Sequence, residues 1–330
     1  MSVRNLHARL VGLLLAAVLL AGAGAFSVHN ASAASANQLR KGPGHILPRA
    51  VTSTSIARGV TAPAYTTSLY ESTTYYGTLQ NQGCNAARGP SGVIVLDFGE
   101  PAYSGGFGTN DFGGNFDSDN AIFHAVANFI YGAWNCHTSS TNIAVAVGTS
   151  NYGGALGGYS SSSWYTAGQQ WGDIVNNDQS YSSSSGYSNY IGVIGADDIE
   201  VGWQGYSQSS AFVNGYNNHS SRAFFDYGDD AGGANPYPWT AYEVWYVAWG
   251  AADDYPLPEI YYNVDATSDW EQLSIWACNN GHGPIGFKGT MAEYPTGNYP
   301  STAYYDMYNA EASNSCTAGG LGYLIFSTNI

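Results

Sequence analysis

Residues 93–100 read VIVLDFGE, with four consecutive apolar residues followed by Asp97 and then by Glu100. An uninterrupted apolar run of this length is typical of a strand that is buried on both faces, as in a parallel sheet, and it predicts a first strand at Val93–Phe98. Similar short runs predict seven further strands. They are Asn142–Gly148, Tyr190–Gly195, Arg222–Tyr227, Glu243–Trp249, Glu259–Tyr262, Ile285–Met291 and Leu321–Phe326.

Helix-like segments separate several of these strands. The clearest is Asp119–Trp134, whose apolar residues recur at helical spacing, with Asp117 or Ser118 as the expected N-cap. Eight strands with interspersed helices predict an α/β fold, a (β/α)8 barrel that is irregular where the fourth to sixth strands follow one another closely. A β-rich sandwich is the alternative. The other predicted helices are Trp164–Asn177, Ser207–Tyr216, Asp269–Cys278 and Thr302–Ala312.

The amino terminus has the pattern of a secretory signal peptide. Arg4 and Arg9 precede an apolar run from Leu10 to Ala25, and small residues follow it. A membrane anchor is less favoured, because this run is short for a hydrocarbon layer of about 30 Å. We therefore expect a signal peptide at 1–36, a flexible lead-in at 37–65, a single barrel domain at 66–330, and an extracellular location.

Charge and cysteine content restrict the partners and the compartment. The net charge is −15, and after Arg88 the basic residues are Arg222 and Lys288, so nucleic-acid binding is not expected. We also expect no stable membrane association after signal cleavage. An even number of cysteines in an exported chain predicts two disulfides. Of three possible pairings we favour Cys84–Cys136 with Cys278–Cys316, because each closes a local loop.

Acids recur where the predicted strands end, which is where barrel enzymes place their active sites. Asp97 ends the first strand and Asp226 the fourth, while Asp198 and Glu200 follow the third. Two carboxyls on one face can divide the work of glycosidic cleavage, one donating a proton and the other stabilising positive charge, without a cofactor or a metal ion. We expect sugar-binding aromatic side chains at Trp203, Tyr227, Trp245 and Trp249.

The Asp-x-Glu at Asp198–Glu200, with Asp97 at the end of the first strand, resembles the lysozyme-type glycoside hydrolase family 25. The aromatic segment Val244–Trp249 is similar to a later strand of that family and of related secreted bacterial domains. The resemblance implies that Glu200 is the acid, that Asp198 stabilises an N-acetyl sugar and that Asp97 lines the site floor. The expected function is hydrolysis of a polysaccharide or peptidoglycan; the alternative is a non-catalytic extracellular glycan- or wall-binding module.

Overall fold

The computed structural model describes residues 60–230 and 232–330, so the predicted signal peptide and most of the lead-in lie outside the described residues. The strands are β1 (Thr66–Thr67), β2 (Leu69–Tyr70), β3 (Gly92–Asp97), β4 (Glu100–Tyr103), β5 (Phe107–Asn110), β6 (Phe116–Ser118), β7 (Ile143–Ser150), β8 (Ile191–Asp198), β9 (Phe224–Asp226), β10 (Asp254–Pro256), β11 (Gly289–Ala292) and β12 (Phe326–Asn329). The α-helices are α1 (Tyr76–Arg88), α2 (Asp119–Cys136), α3 (Ser161–Ser184), α4 (Tyr206–His219), α5 (Ala241–Trp245), α6 (Glu271–Asn279) and α7 (Pro300–Ser313). Two π-helical segments, Tyr246–Gly250 and Asp265–Trp270, and a 3₁₀-helix, Thr317–Tyr323, complete the described elements.

The strands form two parallel sheets and one small antiparallel sheet. The larger sheet has six strands in the order β10-β9-β8-β7-β3-β2. The second has three strands in the order β1-β12-β11, and β4, β5 and β6 form the antiparallel sheet. Parallel strands with intervening helices confirm the α/β class and exclude the sandwich alternative.

Both faces of the larger sheet are buried, as the apolar runs predict. Ile94 and Leu96 of β3 point into a core that the sheet shares with the helices. Val93 and Val95 alternate with them and point into a second apolar cluster on the opposite face. That second cluster, which we call the inner core, also holds Ala146, Ile194, Ala196, Phe225, Tyr227, Leu257 and Met291.

Contacts join each edge of the six-stranded sheet to the three-stranded sheet. At one edge, Ser68 lies between β1 and β2; its N–H donates to the carbonyl of Asn329 over 2.7 Å, and its hydroxyl accepts from the N–H of Val95 over 2.9 Å. At the other edge, Glu259 forms an isolated parallel bridge with Met291 of β11. The N–H of Ile260 then donates to the Met291 carbonyl over 2.9 Å.

The predicted cap of α2 and the two predicted disulfides are present in the structure. Ser118 caps α2 by accepting a hydrogen bond from the N–H of Ala121, as one of the two predicted caps. Both favoured disulfides are present, Cys84–Cys136 and Cys278–Cys316. The first ties α1 to α2, and the second ties α6 to the start of the 3₁₀-helix. Among the described residues, no helix is long and apolar enough to cross a membrane.

Three predicted strands are wrong or displaced. The segment Glu243–Trp249 is helical, because Thr240 and Glu243 form a capping box and the apolar residues fall at helical spacing. The predicted strand Glu259–Tyr262 lies earlier in the chain, at β10, and the predicted strand Leu321–Phe326 lies later, at β12. In the first case the apolar run follows the paired residues of β10, and in the second it precedes those of β12 and begins within the 3₁₀-helix.

Candidate functional site

The carboxyl ends of the parallel strands carry a concentration of acids. Asp97, Asp198 and Asp226 are the last residues of β3, β8 and β9, and Glu259 follows β10 by three residues. Neighbouring parallel strands end at the same edge of a sheet, and the register pairs Asp197 of β8 with Asp226 of β9. The fold therefore gathers these side chains at one edge.

Three of the acids meet closely. Asp198, Glu200 and Glu259 each offer a carboxylate oxygen, and these oxygens all lie within 4.8 Å of one another. We call these residues the acidic triad. Asp198 and Glu259 are buried, whereas Glu200 is half-buried. Glu200 is positioned by buried Asn151, whose side chain accepts from its N–H and donates to its carbonyl, each over 2.9 Å.

Burial and mutual repulsion make the triad hold protons. Burial raises the pKa of Asp198 well above its usual range, and the charges of Glu259 and Glu200 raise it further. Burial also raises the pKa of Glu259, followed by the charge of Glu200, while a hydrogen bond from the Tyr261 hydroxyl acts in the opposite direction. Carboxylates this close cannot all ionise, so at least one proton stays in the triad near neutral pH.

A tyrosine lies beside the same carboxyls. Tyr70 is 37% exposed as a whole residue, yet partial burial of its phenol raises the pKa above the ordinary range, and the charges of Glu259 and Asp198 add to this effect. Tyr70 therefore keeps its proton at all physiological pH values and can donate it in a hydrogen bond. Its ring packs against Phe112, with the centroids 4.7 Å apart. Neither Tyr70 nor Glu259 is among the residues predicted from the sequence.

Asp97 and Asp226 have a common local role at the ends of their strands. Each accepts a hydrogen bond from the N–H of the glycine two residues later, Gly99 over 2.8 Å and Gly228 over 3.1 Å. Both side chains are almost fully buried. Burial raises the pKa of Asp97 to about 6 and that of Asp226 to about 7. Asp97 and Asp226 each stabilise the turn that follows their strand at the floor of the site. Neither belongs to the triad.

Asp197 completes this buried layer. Its side chain is almost fully buried, and neither carboxylate oxygen has a hydrogen-bond partner among the described residues. Burial raises its pKa well above the usual range, and the charges of Asp226 and Asp97 raise it further. Asp97, Asp197 and Asp226 therefore form a layer of desolvated acids next to the triad.

The predicted aromatic residues do not share one location. Trp203 is half-buried and lies beside the triad. Its backbone N–H donates to the Glu200 carbonyl over 3.2 Å, and its ring meets that of Tyr152 edge-on at 5.6 Å. Tyr227 is fully buried, and its hydroxyl donates to the Thr149 carbonyl over 2.8 Å. Its ring therefore offers no face to a sugar.

Trp245 and Trp249 lie on the helical segment that precedes β10. Trp245 stacks on His282 with the ring centroids 4.0 Å apart. Trp249 meets Tyr255 edge-on at 5.6 Å and packs against Gly286, which precedes β11. The contact with Gly286 puts Trp249 at the amino end of β11, whereas the triad lies at the carboxyl ends of the strands.

The site therefore combines a proton-holding acidic triad, a protonated tyrosine and one aromatic pair at the edge where parallel strands end. The spacing of the triad oxygens suits two kinds of chemistry. The carboxyls can share and donate protons, or they can surround one divalent cation. Comparison with known proteins gives no match: no family model fits the chain, and no curated protein or solved structure is significantly similar to it.

Proposed function

We propose that the two parallel sheets are parts of one closed eight-stranded barrel. In this arrangement β1 and β2 act as a single strand between β12 and β3, and β10 continues through Glu259 to pair with β11. The Ser68 and Glu259 contacts at the two edges support closure. The inner core supports it as well, because it combines Leu257 and Met291 with residues of β3, β7, β8 and β9.

We propose that the protein is a secreted glycoside hydrolase that cleaves a polysaccharide or cell-wall glycan by carboxylate acid catalysis. The observation that carries this proposal is the meeting of Asp198, Glu200 and Glu259 within 4.8 Å. In a barrel the active site lies at the carboxyl ends of the strands, which is where these residues lie. Glycosidic cleavage needs a carboxyl that is still protonated at working pH together with a second one nearby.

The burial of the three residues divides their roles. Glu200 is the half-buried member, so it is the carboxyl that contacts the substrate. It passes the proton shared by the triad to the glycosidic oxygen as the bond from that oxygen to the anomeric carbon breaks. The negative charge left in the triad stabilises the positive charge at that carbon. Water then adds to the carbon from the face that the leaving oxygen has vacated, and Glu200 takes up the proton that the water gives up, so the configuration at the carbon is retained.

Other features of the site fit this function. The Tyr70 hydroxyl remains a hydrogen-bond donor next to Asp198 and Glu259. Trp203 and Tyr152 beside Glu200 provide an aromatic surface for a sugar ring. The two disulfides fit an oxidising compartment, which supports export by the predicted signal peptide.

The alternative is a glycan-binding module without catalysis. The Trp203–Tyr152 pair would serve this function even if the triad were inactive. Such a module would be retained on insoluble polysaccharide or peptidoglycan without releasing reducing ends. Trp203→Ala would weaken retention, whereas Trp249→Ala would leave it unchanged because Trp249 lies away from the triad.

The experiment is a release assay on a panel of polysaccharides and peptidoglycan, with a pull-down on the same materials. The hydrolase proposal expects new reducing ends from one class of substrate, with or without EDTA. Retention without release on any substrate supports the binding module instead. Release that disappears with EDTA while the protein stays folded, and that returns with a divalent cation, contradicts the metal-independent mechanism.

A further inference from the structure

A second group of acids lies near the triad but is not part of it. Asp229, Asp265 and Asp269 each offer a carboxylate oxygen, and these oxygens also lie within 4.8 Å of one another. Asp265 is buried, and the other two are half-buried. Asp229 follows β9 by three residues, whereas Asp265 and Asp269 belong to the π-helical segment before α6. We call this group the second acidic cluster.

Asp230 is a second, independent observation that points to a ligand at the second acidic cluster. Its side chain is 0% exposed, and neither carboxylate oxygen has a hydrogen-bond partner among the described residues. Asp230 directly follows Asp229 in the chain, and its carboxyl interacts electrostatically with those of Asp229 and Asp269, so it lies beside the same carboxyls. An unpartnered buried carboxyl is costly unless a proton or a cation compensates its charge.

The backbone around the cluster is tightly packed. Gly233 has a φ of +57°, and a Cβ atom there would lie 2.4 Å from the Ser268 carbonyl oxygen and 3.1 Å from that of Asp269. The loop after β9 therefore lies directly against the π-helical segment. Asp265 is held in place by the N–H of Tyr262, which donates to its carboxylate over 2.7 Å.

The two basic residues after Arg88 lie at the other end of the strands. Arg222 precedes β9 by two residues, and its guanidinium donates to the Val193 carbonyl over 2.9 Å. Lys288 directly precedes β11, and its ammonium lies 4.0 Å from the centre of the Tyr255 ring. Asp229 and Asp230, by contrast, follow the carboxyl end of β9.

We propose that Asp229, Asp265 and Asp269, with Asp230 behind them, bind one calcium ion that joins the loop after β9 to the π-helical segment. Oxygen ligands lie about 2.4 Å from Ca²⁺, so two ligands on one ion are at most about 4.8 Å apart. The cluster meets this limit. Ca²⁺ tolerates irregular coordination and takes backbone carbonyls, whereas Mg²⁺ requires near-octahedral geometry and retains water. The proposal is independent of the hydrolase function.

The test is calorimetric titration of the EDTA-treated, dialysed full mature chain with CaCl₂, with MgCl₂ as the comparison. We expect one site with a Kd of about 10⁻⁴ to 10⁻³ M, the range of extracellular calcium modules, and weaker binding of Mg²⁺. Calcium at about 100 times Kd should raise Tm by about 5 °C. Absence of calcium binding by the wild-type protein up to about 10 mM would overturn the proposal.

Variants assign the ion to one of the two acidic groups. Asp269→Asn removes a half-buried ligand and should weaken calcium binding at least tenfold. Asp229→Asn should do the same, and circular dichroism shows which variants fold. Asp173→Asn is the matched control, because Asp173 is an exposed acid on α3 whose contact is His219. If Glu200→Gln abolishes binding and Asp269→Asn does not, the ion belongs to the triad and the proposal is wrong.

Discussion

The buried layer of acids at the strand ends makes stability depend on pH, and Asp226 offers the sharpest test. Its pKa is about 7 in the folded protein, against about 4 for an unperturbed aspartate. The folded state therefore binds this proton more tightly than the unfolded state does. The associated stability is present below about pH 4 and is lost as the pH rises through about 7.

The size of the effect follows from the shift. Each pKa unit corresponds to about 1.4 kcal/mol, so a shift of about 3 units changes the free energy of unfolding by about 4 kcal/mol in total. Roughly 3 kcal/mol of this is lost between about pH 5 and about pH 8. Asp226→Asn removes the titrating group but keeps an oxygen that can accept from the Gly228 N–H. The variant should lose this part of the pH dependence.

Urea unfolding of the wild type and the variant at several pH values measures the effect. The wild type should lose free energy of unfolding as the pH rises, because Asp97, with a pKa of about 6, acts in the same direction. The Asp226→Asn variant should lose about 3 kcal/mol less over the same range. Equal pH dependence in the two proteins would refute the claim that Asp226 is desolvated at the site floor.

Three further predictions concern the turn after β3, a disulfide and the reaction. Gly99→Ala should lower the free energy of unfolding in urea by at least about 2 kcal/mol more than Gly105→Ala. Both glycines have positive φ, but only at Gly99 would a Cβ atom meet a neighbouring backbone oxygen, at 2.2 Å. Cys278→Ser with Cys316→Ser should cost about 4 kcal/mol in the same assay, because the bridge closes a 38-residue separation; an unchanged midpoint would contradict this. Hydrolysis should retain the anomeric configuration of the first product, observed by NMR, because triad oxygens within 4.8 Å leave little room for a water molecule between them; inversion would contradict it.

The sequence predicts the buried parallel strands well, because their signal is local. The run before Asp97 has no polar residue, and β3, β7 and β8 all lie within one to three residues of their predicted bounds. The helix Asp119–Cys136 is likewise predicted by its apolar spacing and its cap. The favoured disulfide pairing is confirmed, and its signal is also local, because each bridge closes a loop within one half of the chain.

Elements that depend on distant contacts are harder to predict. β1 and β2 are two residues each, and Ser68 between them contacts both β12 and β3. The apolar residues of the aromatic segment Val244–Trp249 are compatible with either a strand or a helix. The capping box at Thr240 favours the helix. These outcomes depend on packing partners or caps that apolar runs do not reveal.

The candidate site is predictable in part for the same reason. Asp198 and Glu200 are close in the chain, so their meeting is foreseeable from the sequence. Glu259 joins them from another strand, and the misplaced strand Glu259–Tyr262 conceals its position after the end of β10. A strand placed at Asp254–Pro256 would have put Glu259 among the acids at the carboxyl ends.

The most direct test of the central claim is the hydrolysis rate of Glu200→Gln on the glycan that the wild-type protein cleaves. We expect a loss of kcat of about 100-fold or more, because the carboxyl that delivers the proton is gone, and a Tm close to that of the wild type. Asp173→Asn, which removes one exposed charge, should retain full activity. A Glu200→Gln variant that cleaves the same glycan at the wild-type rate would contradict acid catalysis by the triad.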